Sequence, residues 1–146
     1  MSEAIDRTAE ATTTRSVYAT LKLVFGIVPI VAGLDKFTNL LVDWSKYIAP
    51  AFASMLPFSG RTFMYIVGII EIVAGLGVLA TRWTRAFAVI VGIWLLCIAV
   101  DLLLARFYDI AVRDVVMAIS AFSLARLAAT VPAQDVRARP MRTATV

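Results

Sequence analysis

Glu71 is the residue whose type and position most need a chemical explanation. It stands eight residues past Phe63 and nine before Ala80, inside a run without other charges. At about 1.5 Å per residue that is near the middle of a segment long enough to cross a bilayer. A comparable ionised Asp at such depth costs about 2.5–3.5 kcal/mol on insertion scales, so the carboxyl must be protonated, paired or facing water. Lys22 is the nearest basic candidate by depth, about 7 Å from the same end at which Glu71 is about 13 Å deep. A buried Lys22–Glu71 ion pair, or a neutral carboxyl bonded to a backbone carbonyl, is the structural reading. A proton or ligand site within the helices is the functional one.

A second polar group falls at the opposite ends of the apolar runs. Asp35 and Lys36 close the first run, Asp101 and Arg106 the third, and Arg113 with Asp114 opens the fourth. They read either as helix-end charges paired with one another and with water, each pair contributing about 0–1 kcal/mol, or as a vestibule for a polar head, with Arg113 as a fork-shaped anion donor. Trp94, Cys97 and Asp101 share one helical face by spacing, a stripe expected to line the interior below this cluster. Cys97 there reads as a small buried hydrophobe, and Ser120 and Ser123 as packing or interhelical hydrogen-bonding residues.

Other chemistries drop out. With no histidine and one cysteine, the chain alone is neither a His-ligated haem protein nor a dithiol oxidoreductase. The sequence shows no metal cluster and no nucleophile–base constellation, so it names no catalytic residue, cofactor or metal and leans away from an enzyme acting alone. Nothing suggests nucleic acid as a partner.

The elements that position these residues follow from composition. Of 146 residues, 61% are hydrophobic and 16% charged, with mean hydropathy +0.87. Soluble domains sit near about half apolar and a quarter charged, so the chain is expected to be an integral membrane protein. Four apolar runs emerge, at about 17–34, 63–80, 86–104 and 110–129. In lipid every backbone group must be paired internally, and no period-two alternation supports a barrel. The expected fold is therefore all-α, a four-transmembrane-helix bundle over residues 17–130. Residues 1–16 are polar, lack the marks of a secretory signal and are expected to be a disordered cytoplasmic tail; 131–146, with Pro132, Pro140 and three arginines, a second, basic one.

Lys and Arg number nine on the side of the two termini and five on the other, which predicts N-in, C-in topology. The loop from Phe37 to Thr62 is long, aromatic and interrupted by Pro50 and Pro57. It is expected to lie along the outer membrane surface as short helical pieces, serving either as a lipid-anchoring belt or as a lid over an outer pocket.

One internal echo stands out. Residues 25–34 read FGIVPIVAGL and 67–76 read VGIIEIVAGL, seven of ten positions matching. Each copy spaces two glycines seven apart, Gly26 with Gly33 and Gly68 with Gly75, as a groove along one face. Small residues let helix backbones approach in lipid, so helices 1 and 2 are expected to pack tightly and antiparallel through these grooves.

Taken together, Gly33-Leu34-Asp35-Lys36-Phe37, the stretch from Gly68 through Glu71 to Leu76, Thr81-Arg82-Trp83-Thr84-Arg85, and Arg113-Asp114 resemble the DoxX family of small four-helix bacterial membrane proteins, over about Leu21 to Leu127. The resemblance implies the bundle, a place in the bacterial cytoplasmic membrane and a redox-linked accessory role, since the family takes its name from a small subunit associated with thiosulfate:quinone oxidoreduction. It carries over no catalytic residues. Two functions are therefore weighed. One is a non-catalytic accessory or anchoring subunit that brings other redox-complex subunits near the quinone pool. The other is a module binding or transporting a small lipophile such as a quinone, a proton or an anion. The lipid bilayer is a partner in both.

Overall fold

The computed structural model describes residues 2–80 and 82–131, and they are helical with short connections. Helix α1 runs Ser2–Thr38, α2 is a single turn at Pro50–Ala53, α3 runs Gly60–Leu79, α4 Thr84–Leu104 and α5 Tyr108–Thr130. A 3₁₀ turn occupies Trp44–Tyr47. Helices α1, α3 and α4 are each long and apolar enough to cross a membrane. Helix α5 has 23 residues but a more polar composition, with Arg113, Asp114 and Arg126 along it.

Residues 2–16 depart from the expected disordered tail, because α1 begins at Ser2 and continues unbroken into the apolar segment. Extending an existing helix fixes one residue per added hydrogen bond, whereas starting one is costly. The stretch has alanines, glutamates and no glycine or proline to stop it, and Glu3 complements the helix N-terminus. The basic tail expected at 131–146 lies, beyond Val131, outside the described residues.

The helices form two close pairs, α1 with α3 and α4 with α5; the pairs meet chiefly along α3 and α4. The first pair is held by the echoed glycines. A Cβ at Gly33 would stand 2.5 Å from the Gly68 carbonyl oxygen, and one at Gly75 would collide with the Gly26 carbonyl. The two copies of the motif thus oppose each other head to tail, the first glycine of each against the second of the other. This is the expected antiparallel groove packing, and it places the α1 and α3 backbones in contact at two levels.

Connections are tied by side chains. Ser59 caps α3 by accepting the Thr62 amide, and the Thr84 hydroxyl donates to the carbonyls of Val78 at 2.8 Å and Ala80 at 3.0 Å, closing the α3–α4 turn. At the other end of α4, Arg106 takes a left-handed φ of 64°, and the Phe107 amide turns back to the Leu102 carbonyl at 2.9 Å. That reversal is the usual way to end a helix, here without the usual glycine.

The bundle has two chemically distinct halves. Toward the end where α3 turns into α4 and α5 finishes, the terminal end, Tyr18, Phe25, Val78, Val91, Leu95 and Leu124 pack with small alanines into an apolar core. Toward the end carrying residues 39–59, the loop end, the interior holds Asp35, Lys36, Glu71 and Asp114, all buried. Large apolar side chains such as Leu23, Ile27, Ile69, Ile93 and Val116 cover the outside, as a lipid-facing surface requires.

Gly75→Leu is expected to lower stability in detergent by about 1–3 kcal/mol or more, because the added side chain meets backbone that cannot yield. Val73→Leu, on the exposed face of the same helix, should leave the thermal midpoint within experimental error; equal effects of the two would remove the groove from the account.

Candidate functional site: a buried polar cluster beneath an aromatic cap

Glu71 is ion-paired, but its partner is Lys36, whose Nζ lies 2.6 Å from Oε2. Lys22, the expected partner, makes no contact with it; its ammonium lies 6.0 Å from the centre of the Tyr18 ring. The physical reason is side-chain direction. Side chains on a helix lean toward its N-terminus. In antiparallel α1 and α3 this sends Lys36 inward from the loop end and Glu71 outward toward it, so the two meet. Lys22 leans in the same direction as Lys36, but from the far side of Glu71, so its lean carries it away toward the terminal end. Depth measured along the axis alone misses this.

The pair is built into a larger unit. Lys36 Nζ also lies 3.8 Å from the centre of the Trp44 ring, an arrangement worth about 2 kcal/mol when desolvated. Trp44 Nε1 donates to Asp35 Oδ2 at 2.7 Å. Asp35 Oδ1 accepts the backbone amides of Leu40 at 2.9 Å and Leu41 at 3.0 Å and the Thr38 hydroxyl at 3.2 Å. One carboxylate therefore ends α1, turns the chain and orients the indole that covers the ion pair. Asn39 makes that turn in the left-handed region, at φ 51°, which asparagine tolerates better than most residues.

The loop crosses the end of the bundle. Ile48 and Ala49 are buried, and the Ala49 amide donates to Asp101 Oδ1 at 3.1 Å. Tyr47 meets Phe107 edge-on at 5.1 Å, Phe52 meets Phe63 at 5.3 Å, and Phe37 stacks on Tyr65 at 5.2 Å between ring centres. Short helical pieces are present as expected, with Pro50 opening one of them. Met55, Leu40 and Leu41 remain outside as an apolar rim.

The expected outer cluster is thus brought together only in part. Asp35 and Lys36 join Glu71, and Asp114 is close enough to Glu71 to act on it electrostatically. Asp114 itself takes its neighbour Arg113, through Nε and Nη2, both 3.1 Å from Oδ1. Asp101 serves the loop backbone. Of the expected stripe on α4, Cys97 faces outward, since its spacing sets it at the edge of the face that carries Trp94 and Asp101. Ser120 and Ser123 bond to carbonyls of their own helix, at 3.1 and 3.0 Å, and not across to a neighbour.

Trp44 is the polar residue whose role the sequence reading missed. A Trp N–H that is buried needs an acceptor, and Asp35 within a loop's reach of Trp44 is the signal that could have paired them. Trp94 Nε1 is enclosed and faces the Glu71 region without completing a hydrogen bond. Among the described residues, no three His, Cys, Asp or Glu side chains are grouped to hold a metal.

A polar cluster sealed inside a lipid-facing helical bundle defines a multi-pass membrane protein. The chain belongs to the DoxX family, whose family model matches residues 18–104. That match covers α1 from Tyr18 onward, the cap, α3 and α4, and ends before α5. Comparison with curated proteins and with solved structures gave no match.

Lys36→Met is expected to destabilise the protein by about 3–5 kcal/mol, because it leaves Glu71 buried without its cation. Lys36→Met combined with Glu71→Gln should recover part of that loss, and a double-mutant cycle between positions 22 and 71 should show no coupling. Strong 22–71 coupling in thermal denaturation would contradict this pairing.

Proposed function

We propose that the protein is a four-span, N-in/C-in subunit of the bacterial cytoplasmic membrane that acts as a non-catalytic accessory or anchor in a redox-linked membrane assembly. The observation that carries this reading is that the charged groups of the cluster are engaged from within the chain. Lys36 is held by Glu71 and Trp44, Asp35 accepts four donors, Asp101 holds the loop, and Asp114 is paired with Arg113. Groups so engaged are suited to fixing one arrangement of helices and cap, and a rigid bundle with an apolar rim is suited to docking beside other membrane subunits. Family membership supports the same reading.

Helix α5 fits a fourth span: its buried face, with Ala111, Ala118, Ala121 and Leu124, packs on α4, and its other face carries Val112, Val116 and Ile119 outward. Arg113 and Arg126 lie toward its two ends, where long cationic side chains reach the interface.

One observation favours the second reading, a module that binds a small lipophile, proton or anion. Trp94 Nε1 is buried facing Glu71 without completing a hydrogen bond to it, so a ligand offering a better-placed oxygen there would satisfy it.

Blue-native electrophoresis and native mass spectrometry of gently solubilised protein separate the two. A stable co-migrating membrane subunit is expected; a lone chain carrying a bound lipophile would replace the accessory role with the binding one. For topology, Ser54→Cys and Arg82→Cys, each in a Cys97→Ala background, place single thiols at exposed positions on opposite ends. An impermeant reagent added to intact cells is expected to label position 54 and spare 82, and the opposite pattern would invert the proposed orientation.

A further inference from the structure

The carboxylates between residues 11 and 131 are Asp35, Asp43, Glu71, Asp101, Asp109 and Asp114, and all belong to the loop half or its connections. Lys22 sits in the other half. Only 9% of it is exposed, on the face of α1 that also presents Tyr18 and Phe25 to the apolar core. Its ammonium has neither a carboxylate nor a hydrogen-bond acceptor among the described residues. Helix-end carbonyls at this end of the bundle already receive donors, Val78 and Ala80 from Thr84, and Leu127 from Thr130 and the Val131 amide.

Tyr18, one turn earlier, is 6% exposed, and its phenol has no hydrogen-bond partner among the described residues. Neither tip is sealed in, because Trp94 Nε1 is the fully enclosed unpartnered side-chain atom among the described residues. Both side chains lean toward the helix N-terminus, toward the terminal end of the bundle. Around them the outer surface of α1 is apolar, with Val17, Leu23 and Val24 exposed. The same end carries exposed Arg82, Arg85 and Arg126, with Arg82 lying 5.6 Å from the centre of the exposed Trp83 ring.

We propose that Lys22 and Tyr18 form a binding site for the phosphate of an anionic phospholipid, with the ammonium as counter-charge and the phenol as a second donor. A largely buried cation whose tip is open and which has no carboxylate partner among the described residues calls for an anion, and a phosphodiester offers several acceptor oxygens to two donors at once. A lipid suits the site better than free phosphate because its acyl chains would lie on Val17, Leu23 and Val24 while its headgroup stays at the level of Trp83. The arginines at the same end add longer-range attraction for the negative charge. This site is separate from the Lys36–Glu71 cluster and does not depend on the accessory role.

The test uses the full-length protein, delipidated in neutral detergent and titrated with phosphatidylglycerol or phosphatidylcholine of matched chains under native mass spectrometry. One phosphatidylglycerol per chain is expected, with a preference of about tenfold, the scale of a charge-assisted contact. Lys22→Met should abolish the preference, Lys22→Arg should keep it, and Tyr18→Phe should reduce it about two- to fivefold. Equal retention of the two lipids by the wild type, or an undiminished preference in Lys22→Met, overturns the proposal. Displacement of the lipid by millimolar inorganic phosphate would assign the site to a free anion and overturn the lipid. Should Lys22→Met not fold, the other two variants decide: a preference kept by Arg and lowered by Phe supports the site, and the reverse pattern overturns it.

Discussion

The close approach of the α1 and α3 backbones is the constraint on which the rest of this structure depends. Packing, more than hydrophobicity, holds helices together in lipid, and here Gly33 against Gly68 and Gly26 against Gly75 remove the side chains that would keep the helices apart. Two contacts seven residues apart fix both the register and the separation of the pair. Only at that separation does a lysine near the end of α1 reach a glutamate in the middle of α3. The ion pair is therefore a product of the glycine seam. Having formed, it opposes sliding between the helices, because a one-residue shift would strand both charges in a low-dielectric interior.

The sequence made much of the architecture legible, and its failures are instructive. The apolar runs coincide closely with the long helices, because a bilayer imposes length and composition together. The glycine spacing foretold the α1–α3 seam for an equally direct reason, since small residues at helical spacing leave few other uses. The depth of Glu71 revealed that it needed a partner. Its identity did not follow, because the common lean of Lys22 and Lys36 toward the start of α1 carries the first away from Glu71 and the second toward it, a consequence of helix polarity that a count of residues along the axis omits. The start of α1 was missed because a polar stretch carries no apolar period, yet inherits helical structure from the segment it adjoins. Cap geometry was hidden for another reason: Asp35 gathers Thr38, Leu40, Leu41 and Trp44, and a turn built on one carboxylate leaves no periodic trace.

Charge is distributed between the two halves with opposite consequences. In the loop half, acidic and basic groups meet and neutralise, so charge becomes geometry: Asp35 shapes the chain, Asp101 holds the cap, and Lys36 joins cap to bundle. In the terminal half the interior is apolar, and Lys22 meets no carboxylate among the described residues. The same residue type thus has two roles on one helix. Lys36 closes the fold on itself, while Lys22, fourteen residues earlier on the same helix, leaves a charge to be answered from outside.

The unbroken course of α1 sets a distance. Its 37 residues extend about 55 Å at 1.5 Å per residue, against a hydrocarbon layer of about 30 Å. Ser2 to Ser16 therefore stands about 20 Å clear of the apolar segment as a continuation of the same rod. A flexible tail of that length would explore a hemisphere; a helix continuous with a membrane span points in one direction. Whatever engages Ile5 or Glu10 on this mast meets the protein at a fixed height above the bilayer, comparable to the radius of a small globular domain, and with an orientation already chosen by the tilt of α1 within the membrane.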